Sequence, residues 1–337
     1  MTALSILDVS TIAEGSTAGV ALNNSLDMAR HGEMLGYKRF WMAEHHGMHG
    51  IASAATAVAL AHVAAGTSTI RIGAGGIMLP NHSPLVIAEQ FGTLHALHPG
   101  RIDLGLGRAP GSDMRVARAL RRNLDTDPHQ FPRDVVELQA YFAANPELGI
   151  HAVPGAGENV PLYILGSSLF GAHLAAALGL PYAFASHFAP AQLDEAIAVY
   201  RSQFTPSAQL ARPYVIAGFN VYAAETDAEA ELLATSVQQI YVALRTGEPR
   251  QLPPPVPNYR ATLPPPSVAL LDHMLNASAV GSPETIRRQM GAFIERTQAD
   301  ELIIACQMFD HEARKRSYEI TIEARDALTS APAMATN

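Results

Sequence analysis

Cysteine is almost missing from this chain: Cys306 is the single one among 337 residues. One thiol cannot close an intramolecular disulfide and cannot build a thiolate cluster for zinc or iron–sulfur, so a reducing compartment is expected. Charge is scarce as well, at 16% of residues, and Lys+Arg (23) fall short of Asp+Glu (31) to give a net −8. No basic cluster offers the electrostatic footprint that nucleic acid or an anionic membrane requires, and neither is an expected partner. Long hydrophobic runs are also lacking. The longest, from Ile51 to Ala65, is broken by Ser53, Thr56 and His62 and falls short of the ~20 residues that span a bilayer. At the start, Asp8 puts an acid where a secretory signal would continue its apolar run. A cytoplasmic protein without membrane spans is expected. What the chain does have is 48% apolar residues, enough for a sizeable core and too many for a disordered chain.

Short β-like runs alternate with longer helical patterns. Ala3 to Val9 reads as a buried strand, and Ala18 to Leu35 as a helix closed by Gly36. The next pairs are a strand over Arg39 to Ala43 with a helix over Ser53 to Ala65, then Thr69 to Met78 with Pro84 to Leu97, where Pro84 suits a first turn. Ile102 to Gly107 is the fourth strand, followed by an excursion with a helix over Arg133 to Ala144. Strands five, six and seven are expected at Pro161 to Leu165, Tyr182 to Ser186 and Pro213 to Ala223. Their helices are expected at Leu169 to Leu178, Ala191 to Phe204 and Ala228 to Leu244. Glu248 to Pro266 holds eight of the 23 prolines and reads as a loop. Helices follow at Val268 to Leu275 and Pro283 to Arg296, then strand eight at Glu301 to Ala305 and a last helix at Arg314 to Leu328. At ~150 residues per domain the length suggests about two, but α/β barrels often run ~250 or more as one. Eight alternating strands fit an α/β fold of the (β/α)8 barrel type, with insertions after strands 4 and 7, better than a six-stranded nucleotide-binding sheet. The expected layout is one domain over residues 1–330 and a flexible tail over 331–337.

In a barrel enzyme the chemistry sits on the loops after the C-terminal strand ends, and four such loops carry polar or glycine-rich signals. After strand two comes Glu44-His45-His46, with His49 three residues on. Neighbouring residues in extended chain point to opposite faces, which disfavours a shared metal, and no metal site is assigned. An acid/base or hydrogen-bonding role suits one histidine near neutral pH, and a purely structural role is the competing reading. After strand three, Gly73-Ala74-Gly75-Gly76 weakens an apolar strand. Glycine at that density suggests a bulge, a non-proline cis bond or close backbone approach to a flat ligand. After strand four, Gly105-Leu106-Gly107-Arg108 lacks the third glycine of a dinucleotide loop, because that place falls at Pro110. Arg108 is left as a phosphate fork. After strand five, Ser167-Ser168-Leu169-Phe170-Gly171 opens a helix, either as a plain N-cap or as an anion site. Arg108 and Ser168, on adjacent strands, could converge on one phosphate.

These segments carry a resemblance. Trp41 to His46 (WMAEHH), Gly73 to Pro84 (GAGGIMLPNHSP), Pro99 to Asp113 (PGRIDLGLGRAPGSD) and Leu162 to Gly171 (LYILGSSLFG) resemble the bacterial luciferase-like flavin monooxygenases, above all their single-chain oxidoreductase subgroup. The match runs with the same spacing to about residue 190, and the C-terminal third matches in layout. The resemblance implies a barrel that binds FMN, used as FMNH2, which reacts with O2 to give a C4a-hydroperoxyflavin that oxygenates a small organic substrate. It also implies a homodimer and a separate flavin reductase. His45 matches the family's catalytic histidine. Gly75 and Gly76 match the dipeptide that forms a non-proline cis bond against the flavin ring. Arg108, Ser168 and the Gly171 amide, with the neighbouring Ser167, match the phosphate-binding positions. The luciferases carry Glu at the place of Ser167 and Thr at that of Gly171, a departure in the side-chain part of the phosphate site, and Cys at that of Gly107, which argues against light emission. Where the close subgroup reads LDQSP, this chain has Leu7-Asp8-Val9-Ser10-Thr11.

The alternatives are hydride transfer with a deazaflavin or FMN, and a non-catalytic flavin-binding protein. Further expectations are a cis Gly75–Gly76 bond, a structural His46 pointing away from the site, and a mobile lid over Glu248 to Pro266.

Overall fold

The computed structural model describes residues 1–108, 114–120 and 130–330. Parallel strands and covering helices alternate along it. They are β1 (Ala3–Asp8), α1 (Ala18–Leu35), β2 (Arg39–Met42), α2 (Thr56–Ala65), β3 (Arg71–Met78), α3 (Pro84–Leu97), β4 (Ile102–Gly107), α4 (Met114–Leu120) and α5 (Gln130–Phe142). The second part comprises β5 (Leu162–Gly166), α6 (Leu169–Leu178), β6 (Tyr182–Phe184), α7 (Leu193–Gln203), β7 (Val215–Ala223), α8 (Asp227–Thr246), α9 (Pro265–Met274), β8 (Ser278–Gly281), α10 (Pro283–Thr297), β9 (Glu301–Ala305) and α11 (His311–Ser330). The order β6-β5-β4-β3-β2-β1-β9-β7 closes through a β6–β7 pairing into an eight-stranded parallel barrel, the expected architecture. The expected tail over 331–337 and the residues at 109–113 and 121–129 lie outside the described residues.

One strand was not expected. The nine residues of β7 serve two partners: Ile216–Asn220 pair with β9, and Asn220–Ala223 pair with β8, which lies outside the barrel circuit. Ser278–Gly281 has no apolar run of its own, and its Gly-Ser end reads as a helix start, so only the long edge of β7 reveals it as a strand. The strand expected eighth, Glu301–Ala305, is thus ninth in the chain while it still closes the barrel.

The apolar matter falls into two layers. The larger lies between the strands and the helices, with Phe40, Ile72, Leu104, Ile164 and Phe219 facing outward from the barrel. A smaller layer fills the barrel interior around Leu7, Trp41, Tyr163, Ile216 and Ile303. Beneath it, at the starts of the strands, lies a buried ionic floor. Arg39 Nη1 donates to Asp103 Oδ2 at 2.6 Å and to Tyr163 Oη at 2.8 Å, and Arg39 Nη2 donates to Glu301 Oε2 at 3.0 Å. Ser5, Tyr214 and Lys38 complete the contacts of Glu301, and Arg71 pairs with Asp103. Burial alone would raise the Glu301 pKa, but Arg39 and Lys38 outweigh it and hold the carboxylate below its usual range.

Candidate active site

The opposite, C-terminal end of the barrel opens into a cavity of about 760 Å³. His45, Gly75, Gly76, Arg108, Ser167, Ser168 and Gly171 all line it, so the fold brings together every site residue expected from the sequence.

Glycine explains the wall formed by β3 and β4. The β3–β4 register slips by one residue between Ala74 and Ile77, and the Gly75–Gly76 bond is cis. The readings of the glycine run therefore hold together: a bulge and the expected cis bond occur at the same place. A Cβ on Gly76 would stand 2.8 Å from the Gly105 carbonyl oxygen, so only glycine permits this approach of two backbones. Gly107 differs, because a Cβ there would meet only Ile77 O at 3.8 Å. The space above it is open, and a side chain at this position would project into the cavity.

Beyond β2 the chain turns under backbone bonds from Ala43 N to Asp8 O (2.9 Å) and from Glu44 N to Gly76 O (3.3 Å). His45 faces the cavity half-buried. Its Nδ1 is shut off from solvent without a hydrogen-bond partner. Burial lowers its pKa, against the opposing pull of the Ala43 carbonyl and the Glu44 carboxylate, which favours the neutral imidazole. His46 turns away, as expected from strand alternation: its Nε2 donates to Glu44 Oε1 at 2.6 Å, and His82 Nε2 donates to the same oxygen at 2.8 Å. Met78 N donates to Glu44 Oε2 at 2.9 Å. Burial pushes the Glu44 carboxyl up, but these donors outweigh it and keep the group below its usual range. Ligand atoms of Glu44, His46 and His82 lie within 4.8 Å of one another, so this is the place near the cavity where a cation could be held. Here the three groups are spent on one another as hydrogen bonds.

Sequence reasoning missed two groups. His187 follows β6 at the cavity wall, with its ring packed against Gly218, where any Cβ would collide with Nδ1. That nitrogen has no partner, and burial followed by the nearby His45 depresses the His187 pKa to about 4. A buried nitrogen without an acceptor is better left without a proton, which puts the proton on Nε2. Asn220, inside β7, donates from Nδ2 to His187 O at 2.7 Å and to Ser278 Oγ at 3.2 Å, fixing the histidine's backbone. A signal for His187 did exist, since it stands just past a strand's C-terminal end. None existed for Asn220.

On the β4–β5 side, Ser168 N-caps α6 in an extended conformation, yet its side chain makes no capping bond. The hydroxyl and the first-turn N–H groups are free to meet an anion. Tyr182 Oη anchors Ser168 O at 3.0 Å and packs on Gly171, where a Cβ would meet Tyr182 Cε2 at 3.1 Å. Arg108, exposed at the end of β4, stacks its guanidinium on Phe170 with 4.0 Å to the ring centroid. The stacking holds a planar cation beside the helix N-terminus.

The proline-rich segment, expected as a loop and a lid over the mouth, is bonded to its surroundings at several points. Leu252 is buried, and it pairs with the loop after β1 through Leu252 N to Ile12 O (2.9 Å) and Glu14 N to Leu252 O (2.8 Å). Arg250 Nε donates to Glu14 at 3.0 Å, and α8 adds two bonds, Gln239 Nε2 donating to Pro254 O and Thr235 Oγ1 accepting from Val256 N. Proline offers no donor, but the residues between the prolines do, and they strap the segment across the cavity mouth.

A parallel barrel whose C-terminal mouth holds a cavity, with an arginine beside a helix N-terminus on one wall and two histidines on another, has the layout of a barrel enzyme. The chain belongs to the luciferase-like monooxygenase family, whose sequence model matches residues 2–301. It is 51% identical over 327 residues to a luciferase-like monooxygenase of Escherichia coli, covering 97% of this chain and 98% of that one. It is 36% identical over 260 residues to the N-acetyl-S-alkylcysteine monooxygenase of Bacillus subtilis, covering 73% and 75%. The crystal structure of apo-MsnO8 superposes with a TM-score of 0.87 at 35% identity, covering 97% of this chain and 99% of that one. Two further structures share the fold alone. The oxygenating constituent of 3,6-diketocamphane monooxygenase from Pseudomonas putida, in complex with FMN, has a TM-score of 0.70 at 16% identity, covering 95% and 96%. An F420-dependent secondary alcohol dehydrogenase has 0.64 at 14%, covering 96% and 98%. No helix among the described residues is long and apolar enough to cross a membrane.

Proposed function

We propose that the cavity binds FMN and that the protein is a flavin-dependent monooxygenase acting on a small organic substrate with O2. The observation that carries this reading is the pairing, in one cavity, of a cradle of positive donors with a glycine-lined wall that is open at Gly107. Arg108 and the N-terminus of α6 form the first; Gly75, Gly76 and Gly107 form the second. The cradle supplies a planar cation, a free hydroxyl and unpaired N–H groups, a donor set suited to a phosphate monoester. The wall presents backbone without side chains, which suits a flat ring. When bound and reduced, the flavin would supply the activation of O2. The chain's own residues position the ring and keep water out. The neutral His45 holds or moves a proton near the reacting atoms, and His187 offers Nε2–H as a second donor. The same reading includes a separate flavin reductase that delivers FMNH2, and a homodimer.

Rapid mixing tests this reading. Photoreduced FMN held by the protein is expected to reoxidise with O2 in phases distinct from those of free FMNH2. Reoxidation at the free-flavin rate would overturn it, and tight binding of F420 with no binding of FMN would favour hydride transfer.

A further inference from the structure

The cavity's charge runs against that of the chain. The protein carries a net −8, yet among the described residues the cavity lining contains three arginines, Arg108, Arg245 and Arg250, and one acid, Glu44. Glu44 is saturated by His46, His82 and the Met78 N–H, so it offers the arginines nothing. The three cations are also not grouped. Arg108 stands at β4, beside the N-terminus of α6 that follows β5. Arg250 is tied to Glu14, in the segment after β1. In the barrel circuit β5 and β1 lie across the mouth from each other: β4, β3 and β2 intervene on one side, and β6, β7 and β9 on the other. A phosphate seated at α6 leaves the other pair, Arg245 and Arg250, outside the cradle, and Arg250 is already tied to Glu14.

Arg245 is the freer of that pair. It sits exposed in the last turn of α8 and makes no ion pair or hydrogen bond to any described residue. A cation there complements the negative end of the helix, but that interaction leaves the guanidinium donors open. The surface leading inward from it is apolar. Phe188 and Leu244 line the cavity while 56% and 38% exposed, and Ile240, Leu252, Leu270 and Met274 continue the same wall. Exposed apolar walls of this kind, ending in an unpaired cation, are what an amphiphilic anion would cover.

Building on the flavin reading above, we propose that the substrate is an organic carboxylate. Its carboxylate is held by Arg245 at the C-terminal end of α8, and its apolar body lies inward toward His45. Arg108 and Arg245 thereby divide the work, one for the cofactor's anion and the other for the substrate's.

Calorimetric titration of octanoate, octan-1-ol and octylamine into the wild type, Arg245→Ala and Arg108→Ala tests this. The wild type is expected to prefer octanoate over the alcohol by about tenfold, on the scale of a charge-assisted contact at a partly solvated rim, and to bind the amine worst. Arg245→Ala is expected to abolish the preference without changing octan-1-ol binding, whereas Arg108→Ala keeps it. Equal binding of acid and alcohol by the wild type would overturn the proposal. So would loss of the preference in Arg108→Ala rather than Arg245→Ala, because the anion would then occupy the phosphate cradle. A parallel FMN titration of the same proteins separates the two readings. Absence of FMN binding with the octanoate preference intact would remove the flavin and leave the anion site.

Discussion

The two ends of the barrel treat polar groups in opposite ways. At the floor, Arg39, Asp103 and Glu301 are almost fully buried, and each charge meets a counter-charge within 3.0 Å. At the mouth, His45 and His187 each keep a buried nitrogen without a partner among the described residues. A buried polar group left unpaired is costly, so a fold bears such cost where a ligand supplies what is missing. The floor thus meets its charges internally, and the proposed function assigns binding and chemistry to the mouth.

The comparison breaks most directly at the floor. Arg39→Met leaves Asp103 and Glu301 short of their main counter-charge and is expected to cost about 3–5 kcal/mol of stability, the scale of a broken buried ion pair. Arg108→Ala and Arg245→Ala are expected to stay within about 0.5 kcal/mol of wild type, as for exposed side chains. Urea denaturation of the three variants measures this. A floor variant no less stable than the mouth variants would erase the distinction.

Activity should show the reverse. His45→Ala is expected to lower product formation by ~10²-fold, the scale of a lost acid/base group, with hydrogen peroxide released in place of product and FMN binding nearly intact. The matching His46→Ala should act through Glu44 and the turn it braces rather than through the reaction. If His46→Ala abolishes turnover while His45→Ala leaves it coupled, the roles at this strand end are exchanged.

A third test sharpens the comparison through pH. The folded-state pKa of His187 lies at about 4, against 6.5 for a free histidine. Between these values the unfolded chain takes up a proton that the folded one refuses. Its contribution to stability is therefore complete above pH ~6.5 and is lost as pH falls through about 4. His187→Gln should flatten the fall in stability over that window relative to wild type. An unchanged slope would mean that the imidazole is not held neutral.

How far the sequence foretold this depended on whether a feature is local. The bounds of α1, α3, β4 and α6 agree with their sequence patterns because an apolar run or periodic stripe there ends at a glycine, a proline or a serine cap. The glycine run of β3 announced its unusual backbone for the same reason. Short β8 did not, since Ser278–Gly281 owes its pairing to β7. Nor did the floor, where Arg39 and Glu301 stand 262 positions apart and look like isolated charges in apolar strands. Asn220 is hidden in the buried run of β7, and its hold on His187 exists only once β6 and β7 lie side by side. The strap at Leu252 was concealed by the prolines around it.

The central claim is that Arg108 and the N-terminus of α6 hold a flavin phosphate at the mouth. It is tested most directly by fluorescence titration of FMN and riboflavin, which differ by that phosphate, into the wild type and Arg108→Ala. The account predicts that the wild type binds FMN at least about 30-fold more tightly than riboflavin, roughly 2 kcal/mol for a charge-assisted phosphate contact. It also predicts that Arg108→Ala loses most of that difference while its riboflavin affinity stays the same. Equal affinity of the wild type for the two flavins, or a full FMN preference retained without Arg108, would contradict it.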